Sequence, residues 1–261
     1  MFDVWWRHKS LVLELCKREF SGRYRGSFGG LAWSFVHPLF MLSVYTMAFG
    51  VILKSRWGIA GRTSDYALML FSGLIIFNLF AECLAKAPTL IIAQPNFVKK
   101  IVFPLELLPV VTVISAVVNA LIAVMVWTLG YCILNGIPHS SMLAFPLVFI
   151  CMIPLLLGVG WLFSALGVIV RDISHLTGML TQTLLFLTPI FYGIEAAPAM
   201  LRRILLLNPL TILVEQFRAV LVYGRWPQLG ELTIYFIFSS IFAVGSLWVF
   251  RRLRSSFADF V

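Results

Sequence analysis

Residues 17–38 read KREFSGRYRGSFGGLAWSFVHP, and the rest of the chain is organised around them. The first half is basic, with Lys17, Arg18, Arg23 and Arg25 against one acid, Glu19. The second half opens an uncharged run, 31–53. At about 1.5 Å of rise per residue, that run is long enough to cross roughly 30 Å of hydrocarbon. Gly26, Ser27, Gly29 and Gly30 join the halves. Lys and Arg packed against the start of a span stay on the cytoplasmic side, so this junction orients everything after it.

Composition agrees. Hydrophobic residues make up 61% of the chain and charged ones 12%, against about 25% charged in soluble domains. With a mean hydropathy of +0.96, the chain cannot build a water-facing surface, and its solvent is a bilayer. The net charge of +9 sits at segment ends, which suits anionic lipid and argues against nucleic acid. Cys16, Cys83, Cys132 and Cys151 have no metal or redox spacing, and three lie in apolar runs as packing residues. His8, His37, His139 and His175 are equally dispersed, so no metal site is expected.

Residues 1–30 read as an amphipathic interfacial and gate segment. Asp3, Arg7, Ser10, Glu14, Lys17 and Arg18 share one helical sector, with Trp5, Val12, Cys16 and Phe20 opposite. Such a helix lies in the membrane interface or packs on a protein partner. Residues 31–261 then read as one all-α membrane domain with six spans, at about 31–53, 66–85, 107–134, 142–170, 173–194 and 232–250. Pro38 frees a backbone carbonyl in the first span, and Ser34 stands near enough to help satisfy it. Glu82 and Lys86 are spaced to pair on one helix face. Residues 86–104 are cut by Pro88, Pro95 and Pro104, leaving room for a brief surface helix. Gly158, Gly160, Ser164 and Gly167 in the fourth span permit close helix approach. Residues 204–214, broken at Asn208-Pro209, have the length of a re-entrant or interfacial piece rather than a span. The Glu215–Arg218 stretch after them reads as amphipathic.

Six spans put both termini on one side of the membrane. That side then holds thirteen basic residues and the other seven, which places the termini in the cytoplasm. No Gly-Lys pair exists, so there is no Walker A phosphate loop. The acids do not converge as a glycan-modifying enzyme would need, which leaves that class a remote alternative, and no internal repeat marks a carrier. What remains is a path without its own engine. Trp33, Tyr45, Phe77, Phe80, Trp161, Phe191 and Tyr192 lie within or at the ends of spans. Their rings suit the apolar faces of sugars, as in a conduit, or else form interfacial belts.

An ordered set of pieces runs the length of the chain. These are Arg18-Glu19; Arg23-Tyr24-Arg25-Gly26-Ser27; Leu31-Ala32-Trp33; Pro38; the run NFVKKIVFP at 96–104; Val170-Arg171-Asp172-Ile173; TPIFY at 188–192; and Asn208-Pro209. Together they resemble the ABC-2 type export permeases, specifically capsular-polysaccharide permease subunits of the KpsM kind, with O-antigen, teichoic-acid or other cargo as the alternative. The resemblance implies an inner-membrane homodimer with the conduit at its interface and short periplasmic helices between the last two spans. It also implies two separate ATP-binding cassette subunits that hold the ATP and Mg, none of it bound by this chain. A periplasmic co-polymerase partner and a lipid-linked anionic polysaccharide complete the expected system. ATPase coupling falls on Asn96, Phe97, Val98, Lys99, Lys100 and Ile101, with Arg171, Asp172, Arg18 and Glu19. Lys99 and Lys100 suit either an acidic groove of the ATPase or lipid headgroups. Arg23, Tyr24 and Arg25 fall at substrate entry, where the arginines suit phosphate, although positive-inside topology also accounts for them.

Overall fold

The computed structural model describes residues 9–24, 30–48, 63–98 and 103–257. Among these the secondary structure is helical, with no strand. The helices are α1 (Lys9–Tyr24), α2 (Trp33–Tyr45), α3 (Thr63–Lys86), α4 (Pro95–Val98), α5 (Leu107–Asn135), α6 (Phe145–Ile169), α7 (Ile173–Leu187), α8 (Ala199–Leu207), α9 (Pro209–Leu221) and α10 (Leu229–Leu253). The end of the bundle that carries α1, Lys86 and Arg254 is called the near end below, and the opposite one the far end.

Four described stretches are long and apolar enough to cross a membrane: Asp65–Thr89, Leu107–Asn135, Ser140–Ile169 and Leu229–Ser256. They correspond to the expected second, third, fourth and sixth spans. The expected first span is helical in α2 and on through a short π-turn to residue 48, and 49–53 lie outside the described residues. The expected fifth span differs. Its helix, α7, has 15 residues and stops at Leu187, about 22 Å by helical rise. The residue before a proline is pushed out of the helical region, and Thr188 before Pro189 sits at φ −100°, ψ 135°. Past the break, α8 and α9 meet at 93° across Asn208, and counting that bent pair as one gives a fifth crossing. The apolar piece 204–214 is the end of α8 and the start of α9, joined at the expected Asn-Pro, and a 93° bend there fits a re-entrant loop or a broken span.

Lipid supplies no hydrophobic force between spans, so packing depends on shape and on small residues. The small-residue row of α6 shows this. A Cβ on Gly158 would stand 2.6 Å from the ring of Phe242, one on Gly160 would stand 2.9 Å from Pro109, and one on Gly167 would stand 2.2 Å from the Pro88 carbonyl oxygen. Gly158 and Gly160 lie on opposite faces of α6 and admit α10 and α5, while Gly167, on the same face as Gly160, admits the turn after α3. The core of α3, α5, α6 and α9 closes through Trp127, whose Nε1 donates to the Leu68 carbonyl at 2.8 Å, and through the stacked rings of Phe149 and Phe217. Gly136, at φ 87°, ends α5 in the left-handed region that glycine accepts. Cys83 and Cys151 are buried as packing residues, whereas Cys132 is exposed.

The helix α1 packs on protein within the same chain. Val12 is buried against Leu107 and Val111 of α5, with Leu15 and Cys16 beside it, while Lys9, Glu14, Lys17 and Arg18 are exposed. Trp5 and Trp6 lie outside the described residues.

Candidate functional site

A groove of about 620 Å³ opens between α2, α3 and α5. Its floor is small, because α5 presents Ala116, Ala120 and Ala123 at helical spacing on one face. Trp33 and Tyr45 bracket the wall that α2 supplies, with His37 and Pro38 between them, and Phe71 lies across from it on α3. Along the opposite walls run Asn78 and Glu82 of α3 and Asn119 of α5. Polar groups inside a membrane bundle are costly and mark pathways. This groove brings Asn78, Glu82 and Asn119 together among mostly apolar walls.

The polar row is held in place. Asn119 Nδ2 donates to Glu82 Oε2 at 3.3 Å. Lys86 Nζ donates to Glu82 Oε1 at 3.1 Å and to Glu19 Oε1 at 2.9 Å. The spacing-based pair of Glu82 and Lys86 is therefore present, and the structure adds a third member from α1. Ser34 departs from expectation. Its side chain is 7% exposed, and among the described residues its Oγ has no hydrogen-bond partner. It does not relieve the backbone around Pro38. Pro38 has no N–H to give to the carbonyl four residues back, which is that of Ser34 itself.

At the far end, sequence reasoning missed Arg218. The Glu215–Arg218 stretch reads as a wet amphipathic edge, yet Arg218 has 0% exposure. Its Nη1 donates to the Pro189 carbonyl at 2.5 Å, its Nη2 to the Ile190 carbonyl at 2.7 Å and its Nε to the Met69 carbonyl at 3.3 Å. Nη1 also pairs with Glu215 at 3.2 Å. The neighbouring carbonyls of the same break are taken by Asn208 Nδ2, at Leu187, and by the Tyr66 hydroxyl, at Phe191. Irregular backbone at membrane depth survives only when its polar groups find partners inside the protein, and Arg218 and Asn208 supply them here. The signal in the sequence was the proline break, followed by Asn208 inside the apolar run and Arg218 four residues beyond its end.

The near end is tied by Glu106. Arg254 Nη1 reaches both of its carboxylate oxygens at 3.1 Å, and Arg254 Nη2 donates to the Phe103 carbonyl at 3.2 Å. Phe97 of α4 stacks on Phe103 at 4.3 Å between ring centroids. The short helix α4 is thereby fixed to the foot of α5 and the end of α10.

Known proteins match this chain along most of its length. The ABC-2 type transporter family matches residues 10–222. The chain belongs to that family. It is a membrane transport subunit and not itself an enzyme. Among its relatives, an O-antigen export system permease protein, RfbA, of Myxococcus xanthus is 23% identical over 256 residues, covering 97% of this chain and 96% of that protein. A protein of the same description from Klebsiella pneumoniae is 24% identical over 251 residues, covering 95% and 94%.

Within this ABC-2 permease, those of the expected coupling residues that the structure describes lie at the near end. Phe97 lies on α4, Arg171 and Asp172 are exposed in the turn between α6 and α7, Arg18 is exposed on α1, and Glu19 holds Lys86. Lys99, Lys100, Ile101 and Arg25 lie outside the described residues, as do the side chains of Asn96, Val98, Arg23 and Tyr24. The expected conduit aromatics divide. Trp33 and Tyr45 line the groove. Phe77, Phe80 and Trp161 are buried in the permease's own packing, the last with its Nε1 donating to the Glu106 carbonyl at 3.0 Å. Phe191 and Tyr192 lie at the far-end break, where the Tyr192 hydroxyl donates to the Phe186 carbonyl.

Proposed function

We propose that this permease exports a lipid-linked cell-surface polysaccharide across the bacterial inner membrane, as a homodimer driven by two separate ATPase subunits that bind the ATP and Mg. The observation that carries this reading is the near full-length likeness to permeases named for O-antigen export. The groove supports it, since aromatic rings beside hydrogen-bonding side chains suit a hydroxyl-rich cargo. The relatives favour O-antigen over the capsular polymer to which the motifs are similar. A periplasmic co-polymerase partner belongs to the capsular version. Both termini face the cytoplasm, α4 with Lys99 and Lys100 docks on the ATPase, and Arg23 and Arg25 receive the anionic lipid-linked end. Deleting the gene removes the O-antigen ladder from surface lipopolysaccharide, and plasmid expression restores it. A normal ladder in the deletion strain with loss of capsule moves the cargo to capsule, and no change in either surface polymer overturns the reading.

A further inference from the structure

We propose that α8 is a docking surface for an anionic phospholipid of the far leaflet, with Arg203 on its phosphate and Met200, Ile204 and Leu207 against its acyl chains. This site is independent of the polymer carried. On α9, Val214 stands against Gly73 and Arg218 bonds to Met69, one turn apart on each helix, so α9 runs alongside the span α3. Gly224, just past the end of α9, meets the ring of His139 in the far-end turn, which makes Asn208 and the start of α9 its inner end. Because α8 meets α9 at 93°, it lies across the direction of the spans. Its depth is set by Asn208, which donates to the Leu187 carbonyl at the end of α7. Arg218 ties the same break to Met69, one turn inside Asp65. An amphipathic helix in that attitude lies in the interface with its apolar side about 5–10 Å into the headgroup boundary.

The face that α8 turns outward has the two chemistries of a lipid. Leu205 is buried and seats the helix on the protein, whereas Met200 and Leu207 are 82% and 84% exposed, and Ile204 joins them on the same side. Arg203, three residues from Met200 and four from Leu207, borders this apolar face and is exposed. Its neighbour Arg202 is committed to the chain, with Nη2 donating to the Glu195 carbonyl at 2.7 Å. Arg203 makes no hydrogen bond or ion pair among the described residues. No acid lies on α8 itself. An exposed cation without an acid calls for an anion, and the guanidinium fork matches a phosphate. A second copy of the chain fits this face less well. An isologous contact centred on α8 would set Arg203 near its own counterpart, and like charges brought face to face are destabilising. An anionic lipid supplies both the phosphate and the apolar chains.

The test uses the full-length permease in nanodiscs, with a bimane label on Met200→Cys and with Cys16→Ser and Cys132→Ser removing the two thiols that are not buried. Lipids with doxyl-labelled acyl chains quench bimane on contact. Doxyl-phosphatidylglycerol titrated into phosphatidylcholine, and doxyl-phosphatidylcholine titrated into phosphatidylglycerol, together give the lipid preference at α8. Phosphatidylglycerol is expected to bind about fivefold more tightly than phosphatidylcholine, the weight of one basic side chain at an anionic surface. Arg203→Ala brings that ratio to about one, Arg203→Lys keeps most of it, and high salt reduces it. The same label on Ile241→Cys, exposed on α10, shows no preference, and a monodisperse elution profile shows each variant folded. Equal binding of both lipids at Met200, an unchanged ratio in Arg203→Ala, or the same preference at Ile241 overturns the proposal. Absence of quenching by either lipid at Met200 means that protein covers α8, and it overturns the proposal as well.

Discussion

The guanidinium of Arg218, on α9, donates to the carbonyl of Ile190 at 2.7 Å and joins two parts of the chain that the membrane would otherwise leave unsatisfied. The break after α7 leaves carbonyls pointing into an apolar interior. Arg218 reaches two of them, at Pro189 and Ile190, and also the carbonyl of Met69 on α3. Removing one partner of a buried charge cluster costs about 3–5 kcal/mol, because the groups left behind are neither solvated nor paired. Arg218→Ala is therefore expected to lower the yield of monodisperse protein and its thermal midpoint sharply, and Arg218→Lys to recover part of the loss with fewer donors. Gly73 adds a second handle, since a Cβ there would stand 2.9 Å from Arg218 Nη2. Gly73→Ala displaces the guanidinium, so the double variant should be no worse than Arg218→Ala alone. Additive losses would show that the two sites act independently.

Gly167 is the tightest approach on α6. An added Cβ would sit 2.2 Å from the Pro88 carbonyl oxygen and 2.6 Å from its Cα. Both are backbone atoms of a short turn with a proline, so neither side can give way as a flexible side chain would. Overpacking in a well-packed interior costs typically about 1–3 kcal/mol, and contact with rigid backbone belongs at the upper end. Gly167→Ala should destabilise the permease more than Gly178→Ala, whose added Cβ meets nothing within 4 Å. Thermal midpoints of the two variants in one detergent decide it, and equal midpoints would falsify the close approach.

The parts of this fold that were legible in the sequence are those set by local rules. Uncharged runs gave the helices α3, α5, α6 and α10, and the i,i+4 spacing gave the pair of Glu82 and Lys86. The glycines of α6 announced close packing, and Asn208-Pro209 announced a break. What stayed hidden depends on distance along the chain. Arg218 forms one local pair, with Glu215, but its carbonyl partners Ile190 and Met69 lie 28 and 149 positions away. Asn119 is another such case, an ordinary polar residue in a long apolar helix until folding sets it beside Glu82, 37 positions earlier. Aromatic rings were read as one class, although their neighbours divide them. Trp33 lines the groove and stays half exposed, whereas Trp161 is enclosed where α6 meets the foot of α5, with its Nε1 on the Glu106 carbonyl.

Glu106 gathers Arg254 at 3.1 Å and Arg251 at 3.7 Å, with Phe257 fully buried beneath against Phe250. The ion pairs are partly exposed, so each is worth about 1 kcal/mol or less. Their effect is positional, since Arg254 also holds the Phe103 carbonyl, and Phe103 carries the stacked ring of Phe97 on α4. Arg254→Ala is expected to leave folding nearly intact while lowering the stimulation of nucleotide turnover that the permease gives its ATPase. Arg254→Lys, keeping charge but losing the fork, should fall between. Wild-type stimulation in Arg254→Ala, measured on the reconstituted complex, would remove the clamp from the coupling route.

Cys16 reports whether α1 is seated on α5. Its thiol is pushed above the usual cysteine range, first by burial and then by the nearby Glu19 carboxylate, both of which disfavour the thiolate. Maleimides react with the thiolate, so a raised pKa means slower labelling at neutral pH and a rate still climbing with pH where an ordinary thiol has begun to level off. The internal reference is a Glu14→Cys variant carrying Cys16→Ser, because Glu14 is exposed on the same helix. At pH 7.5 Cys16 should label several-fold more slowly than that reference, and Glu19→Gln should narrow the difference by removing the second cause. Val12→Asp, placed where α1 meets Leu107 and Val111, should release the helix and bring the Cys16 rate to the reference value. Equal rates in the unaltered protein would mean that α1 does not pack on α5, and the link from Glu19 through Lys86 to the groove would then lose its support.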